Sequence, residues 1–164
     1  MNDLNPVLRT SLIPLQRGQI ILPSASVVEV LPYCPPEPSP NTPTWVLGSM
    51  PWRLGSIPVI SMDTLVNDEL PEFGTRSRLA VLGALGGVAG IDHYAILIQA
   101  VPRLVTLERK LITPDPAAEA RTGILTAVRI AGQSAYIPDL GFIEQVLGPT
   151  FALPDLEIEV PTMV

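Results

Sequence analysis

Proline is the residue that most limits the architectures open to this chain. It occurs 19 times and divides the sequence into short apolar runs. Because its ring removes a backbone donor and clashes with the preceding helical turn, long helices are not expected between these positions. Runs rich in β-branched residues, such as SVVEVL and TAVRI, instead predict short strands. The segment 32–43, in which six of twelve residues are proline, predicts a stiff loop.

A strand–turn–strand–helix pattern occurs twice in the sequence. In the first copy, two strands flank the turn 53–55 and lead to a helix near Asp63. In the second copy, two strands flank Ala131-Gly132 and lead to a helix at Asp139. Both aspartates are predicted N-caps, since a carboxylate there can accept hydrogen bonds from the free amides of the first helical turn.

Many short strands with few helices are typical of β-barrels, in which closure removes the exposed sheet edges. We therefore expect a mainly β fold of two small five-stranded β-barrel subdomains packed together, with short helices. Residues 10–148 are predicted to form a single domain made of two pseudo-repeated barrel lobes, and residues 149–164 a C-terminal tail. The alternating LEIEV within this tail is also compatible with an added edge strand.

Charge and hydropathy argue against two classes of partner. Ten basic residues stand against sixteen acidic ones, for a net charge of −6, and no run of Lys or Arg could follow a phosphate backbone. No nucleic acid partner is therefore expected. The longest apolar stretch, 79–100, is interrupted by four glycines, Asp92 and His93, so no membrane insertion is expected. A single cysteine, Cys34, and an N-terminus without a signal-peptide pattern favour a cytoplasmic location.

The sequence offers no set of residues suited to catalysis or cofactor binding. His93 is the only histidine, and we interpret it as a surface or turn residue; with one cysteine it cannot supply a usual zinc ligand set. The glycines of 83–90 lie between two strand-type runs without a GK[ST] motif, which predicts a hairpin and not a phosphate-binding loop. We therefore expect no catalytic, metal-binding or cofactor-binding residue, no cofactor and no enzymatic activity.

The turn at residues 53–55 is the best candidate for a binding site. Arg53 stands between Trp52 and Leu54 in an apolar hairpin, with no histidine, cysteine or second charge expected within reach. Trp and Arg are among the residue types that contribute most to binding energy at protein interfaces, so the triplet predicts a protein contact. A solvated turn arginine is the alternative interpretation.

Around this turn the sequence resembles a known family. The segment PTWVLGSMPWRLGSIPVISMDTLV is similar to the signature of the CheW-like chemotaxis adaptor family, with Gly48, Arg53 and Pro58 at the family spacing. Upstream, SVVEVL is similar to the family's V-x-E-V strand. The resemblance implies two five-stranded barrels and an adaptor without enzymatic activity. The partner-binding residues predicted from the turn and the resemblance are Arg53, Trp52, Leu54, Val27, Glu29 and Val30.

The partners implied by the resemblance are the cytoplasmic domain of a chemoreceptor and the regulatory domain of a histidine kinase. A helical receptor tip would lie in an apolar groove between the barrels. Val27 and Val30 would line this groove, and Glu29 and Arg53 would stand at its rim.

Two further hypotheses come from the same residues. Pro51-Trp52 and Leu54 depart from the family signature, which suggests a divergent adaptor of a chemosensory system that governs type IV pili and twitching motility. The alternative function, from another class, is a small-molecule- or flavin-binding β-barrel. It is motivated by the barrel architecture and the glycine-rich segment alone.

Overall fold

The computed structural model describes residues 7–86, 90–116 and 118–151. Within these residues, eleven strands form a six-stranded and a five-stranded sheet, accompanied by two α-helices. The predicted mainly β fold with two packed subdomains and short helices is confirmed. The elements are β1 (Val7–Pro14), β2 (Gln19–Pro23), β3 (Val27–Pro32), β4 (Val46–Trp52), β5 (Gly55–Ile60), α1 (Met62–Asn67), β6 (Arg78–Gly83), β7 (His93–Ile98), β8 (Arg103–Glu108), β9 (Ile112–Pro114), β10 (Ile124–Ile130), β11 (Gln133–Pro138) and α2 (Leu140–Phe151).

The two sheets draw their strands from different parts of the chain. The strand order is β8-β1-β2-β11-β10-β9 in the first sheet and β3-β6-β7-β5-β4 in the second. Each sheet contains the two strands of one strand–turn–strand–helix unit. The second strand of each unit makes a parallel pair, β11 with β2 and β5 with β7. The N-terminal strands therefore complete the sheet of the C-terminal unit. The first sheet has six strands instead of five because the short β9 pairs with β10.

The central strands bury both of their faces. On β7, Tyr94, Ile96 and Ile98 face an apolar cluster between the two sheets, whereas Ala95 and Leu97 face a second cluster enclosed by the second sheet. Strands β1, β2 and β6 divide their side chains between two clusters in the same alternating way. This is why these strands are continuous apolar runs in the sequence.

The proline-rich loop packs against the edge strand β4. Glu37 and Ser49 exchange two backbone hydrogen bonds of 2.8 Å each. Gly48 permits this approach, because its φ is +139° and a Cβ there would overlap the Glu37 carbonyl group. Tyr33 of the same loop stacks on Phe73 with ring centroids 4.7 Å apart. The loop thus covers part of an edge whose backbone groups would otherwise be open to other strands.

Helix α1 is capped by a different residue from the one predicted. Ser61 is the N-cap, and its Oγ accepts a hydrogen bond of 3.1 Å from the Thr64 amide. The prediction of Asp63 as the N-cap is wrong. Asp63 is buried, and its carboxylate accepts hydrogen bonds from the backbone amides of Gln16, at 3.0 and 3.1 Å, and Arg17, at 3.3 Å. Burial raises the pKa of this carboxyl group. Asp63 therefore ties the helix after β5 to the β1–β2 turn of the other sheet.

Helix α2 is the last element in the described part of the chain. The predicted N-cap Asp139 is confirmed, because its Oδ1 accepts a hydrogen bond of 3.1 Å from the Phe142 amide. Ile143 and Leu147 are buried in the cluster between the sheets. Residues 149–151 of the predicted tail belong to this helix, whereas residues 152–164 lie outside the described residues.

Glu144→Gln is expected to remove a pH-dependent loss of stability. Glu144 is buried in α2, and its Oε1 accepts a hydrogen bond of 2.7 Å from the Leu85 amide. Burial raises the pKa of its carboxyl group above the unfolded value of about 4.3. The folded state then binds the proton more tightly than the unfolded state. The contribution of Glu144 to the free energy of unfolding therefore falls as pH rises above about 4 and through the folded pKa.

Urea denaturation of both proteins between about pH 4 and pH 7 measures this effect. Glutamine keeps an acceptor for the Leu85 amide and does not titrate. The free energy of unfolding of the wild type, minus that of Glu144→Gln, should decrease as pH rises. The exposed Glu119→Gln controls for the loss of one charge. Parallel pH profiles of the wild type and Glu144→Gln would contradict the prediction.

Candidate functional site

The turn between β4 and β5 carries an exposed leucine and a strained arginine. Trp52 pairs with Gly55, so Arg53 and Leu54 form a two-residue connection. Arg53 has a φ of 53°, in the left-handed region that glycine adopts most readily. Leu54 is fully exposed. The hairpin thus holds a cation and an isobutyl group at its tip, where both are open to a partner.

Trp52 is buried beneath this tip and supports it. The Arg53 guanidinium lies over the Trp52 ring, 4.1 Å from its centroid, in a cation–π contact. The His93 ring approaches the same indole with a centroid distance of 4.6 Å. The indole Nε1–H donates a hydrogen bond of 3.0 Å to Glu29 Oε2. The prediction that no histidine or second charge lies within reach of this turn is therefore wrong, and His93 is more than an isolated turn residue.

The Glu29–Trp52 hydrogen bond joins the two edges of the second sheet. Glu29 lies on β3 and Trp52 on β4, which are the outermost strands of that sheet. The sheet is therefore curled until its edges meet at this point. Because this closure also fixes the indole under Arg53, the position of the turn depends on the shape of the whole sheet.

A bulge in β3 separates the predicted site residues into two groups. The pairing with β6 slips between Val27 and Glu29, so that Val28 is an extra residue. As a result Val27 and Val30 pack partly against the cluster between the sheets, whereas Glu29 reaches Trp52 on the other side. The structure brings Glu29 together with the turn residues Trp52, Arg53 and Leu54. It places Val27 and Val30 at the rim of the inter-sheet core.

A groove of about 900 Å³ opens beside the turn. Trp52, Arg53 and Leu54 line it together with His93, at the start of β7, and Phe151, the last residue of α2. Nothing in the sequence around Arg53 indicates His93 and Phe151 as its neighbours. No local pattern could have found them, because the packing of β7 and α2 against the hairpin is a long-range contact.

The groove supplies apolar surface and fixed charges. The described residues contain no group of three or more His, Cys, Asp or Glu side chains that could hold a metal ion. Nor does any helix in that part of the chain have the length and apolar character needed to cross a bilayer. Each sheet encloses an apolar side-chain cluster of its own, and no observation on the described residues favours the ligand- or flavin-binding alternative. An apolar surface with a cation at its rim is complementary to a protein surface with apolar and acidic side chains.

The two packed sheets, accompanied by two short α-helices, define a mainly β, two-sheet domain. A family model described as "CheW-like domain" matches residues 11–145, and the chain belongs to this family. Proteins of the family are non-catalytic scaffolding adaptors. The fold is similar to that of the scaffolding protein TtCheW from Thermoanaerobacter tengcongensis, with a TM-score of 0.72 and 19% sequence identity over 90% of this chain and 94% of that chain. No protein of curated function matches the sequence.

Proposed function

We propose that this protein is a cytoplasmic adaptor that couples the cytoplasmic domain of a chemoreceptor to the regulatory domain of a histidine kinase. Its membership of an adaptor family supports this role. The observation that carries the proposal is the strained Arg53–Leu54 turn, supported from below by Trp52 and Glu29.

The strain at Arg53 argues for a role of its side chain. A residue other than glycine in the left-handed region costs about 1 kcal/mol or more. Glycine at this turn would avoid that cost, so the fold alone does not favour arginine there. An arginine that has a strained backbone, lies over an indole and stands next to an exposed leucine has properties of a binding hot spot.

In this proposal each predicted site residue either contacts a partner or supports the residues that do. Arg53 and Leu54 contact a partner directly, while Trp52 and Glu29 hold the turn in place. Val27 and Val30, at the rim of the inter-sheet core, provide apolar surface for a helical receptor tip. We also propose the range 10–148 as the adaptor domain, and a chemosensory pathway of type IV pili and twitching motility as its setting.

Binding measurements on Arg53→Gly test this proposal. The variant loses the cation–π contact with Trp52 but relieves the strained backbone, and because each effect is about 1 kcal/mol, its stability should stay close to that of the wild type. Its affinity for the kinase regulatory domain or the receptor cytoplasmic domain should fall by about 30-fold, the effect of a 2 kcal/mol hot spot. Isothermal titration calorimetry with the kinase and receptor of the same cell measures the change.

Ala131→Gly is the matched control. Ala131 stands in the β10–β11 turn of the other sheet with a φ of 49°. The substitution relieves the same type of strain away from Arg53 and should leave both affinities unchanged. Unchanged binding by Arg53→Gly would show that Arg53 is a bystander. Failure of the wild type to bind either domain would overturn the adaptor role itself.

A further inference from the structure

We infer that His93 is a positioning residue for the Arg53 turn and acts on it through the Trp52 indole. This role rests on the function proposed above, because the position of the turn matters for binding only if a partner binds there. Three observations support it: the contacts that meet at the indole, the face of β7 on which His93 lies, and the kind of contact that the imidazole ring makes.

Three strands of the second sheet meet at the Trp52 indole. From β4, the indole Nε1–H donates a hydrogen bond of 3.0 Å to Glu29 on β3. From β7, the His93 ring packs on the indole with a centroid distance of 4.6 Å and an angle of 47° between the ring planes. The hydrogen bond fixes one atom of the indole, and a ring packed against it restricts its tilt.

Strand β7 directs His93 toward the interior of the second sheet. Tyr94 faces the cluster between the sheets, so strand alternation places His93 on the same face as Ala95 and Leu97. Ala95 and Leu97 belong to the cluster that also contains Trp52. His93 is the first residue of this row and is half-buried, where the groove begins. It therefore lies between the packed interior of the sheet and the turn.

The imidazole of His93 makes its contact as a ring. Among the residues that the structure describes, it has the ring contact with Trp52 and no side-chain hydrogen bond. Packing of the ring is therefore the interaction through which His93 supports the indole. An aromatic hydrocarbon ring at position 93 should give the same support.

The support reaches Arg53 through the cation–π contact. The guanidinium lies 4.1 Å from the centroid of the indole, and this attraction requires the cation to stay over the ring face. A change in the tilt of the indole would therefore move the favoured position of the guanidinium. Loss of the His93 ring should leave the hairpin in place but release the cation at its tip. The expected loss of partner affinity is about threefold, well below that of Arg53→Gly, because one aromatic contact is a modest interaction.

The test compares His93→Ala and His93→Phe by NMR of the free protein and by calorimetry with the kinase and receptor domains. The NMR readout is the Arg53 Nε–H resonance, assigned by Arg53→Gly, which the ring current of the indole displaces. We expect His93→Ala to move this resonance and to lower affinity about threefold, and His93→Phe to restore both. Phe73→Ala is the matched control. It removes a ring contact of 4.7 Å with Tyr33, on the proline-rich loop, and should leave the resonance and the affinities unchanged.

A double-mutant cycle separates positioning from direct contact, since His93 also lines the groove. In the Arg53→Gly background, His93→Ala should change affinity by less than about 1.5-fold, because the group that it positions is absent. Losses that multiply would overturn the inference, because His93 would then contact the partner itself.

The free protein gives an independent answer. An Arg53 resonance that does not move in His93→Ala would overturn the inference, and so would the failure of His93→Phe to restore it. If the wild type binds neither domain, the proposed function fails, while the Arg53 resonance still reports whether His93 positions the guanidinium.

Discussion

Gly48→Ala is expected to lower the free energy of unfolding by about 3–5 kcal/mol. The alanine Cβ would lie 2.6 Å from the Glu37 carbonyl carbon and 3.0 Å from Pro38 Cα, and φ is +139°. These are backbone atoms, so no side-chain rotation can relieve the overlap. Strain of about 1–3 kcal/mol adds to the loss of two backbone hydrogen bonds between Glu37 and Ser49, at about 1 kcal/mol each.

Thermal denaturation should show this loss as a decrease in Tm of about 10 °C, since 1 kcal/mol corresponds to about 2–4 °C at this chain length. Gly55→Ala is the control in the same hairpin, because a Cβ there meets nothing within 4 Å. It should change stability by less than about 0.5 kcal/mol. Hydrogen exchange of the Ser49 amide should accelerate in Gly48→Ala alone. A Tm within about 2 °C of the wild-type value would correspond to a loss of about 1 kcal/mol or less, and would show that the loop does not need this close approach to β4.

Asp63→Ala is expected to lower the free energy of unfolding by about 2–4 kcal/mol. The substitution leaves the partly buried amides of Gln16 and Arg17 without their acceptor, and an unsatisfied donor that is shielded from water costs about 1–3 kcal/mol. Removing the carboxylate also removes the burial cost that raises its pKa, so the net loss stays below the sum of the two donors. Because Asp63 joins α1 to the β1–β2 turn, the contact between the two sheets should weaken.

Chemical denaturation of Asp63→Ala, Asp63→Asn and Asp139→Ala measures the prediction. Asparagine keeps one acceptor oxygen and should lose about half as much as alanine. Asp139→Ala removes only a helix cap in the equivalent unit, at a cost of about 1 kcal/mol. If Asp63→Ala and Asp139→Ala lose the same free energy, the two aspartates have the same role and the tie between the sheets is not important for stability.

Asp63 and Asp139 have different roles in the folded protein, although their local sequence patterns are similar. Both follow a strand–turn–strand unit, and the sequence gives them the same role. The equivalent caps are Ser61 and Asp139, whose side chains each accept from the amide three residues later. Asp63 instead faces amides from a turn about 46 residues earlier. Capping is a local interaction, so a sequence pattern can predict it. The packing of the β1–β2 turn on α1 joins distant segments, so no local pattern predicts it.

In the candidate site, too, local features follow from the sequence and long-range contacts do not. The sequence indicated the hairpin, the tip at Arg53 and the V-x-E-V strand, because each is a local pattern of residue types. It did not indicate that Glu29 accepts a hydrogen bond from Trp52 or that His93 packs on the same indole. Nor did it indicate that Val27 and Val30 pack against the cluster between the sheets, on the side opposite Trp52. A one-residue bulge in β3 decides which side chains share a face, and no periodicity in the sequence reveals it.

The sequence by itself determined short β-strands, a repeated strand–turn–strand–helix unit and an arginine at an apolar turn. These follow from proline placement, β-branched runs and turn residues, which act over a few positions. Only the tertiary structure decided that the N-terminal strands complete the C-terminal sheet, and that β3 and β4 meet beneath Arg53. Contacts between distant segments depend on register, curvature and packing of the whole core, and these properties belong to the folded chain as a unit.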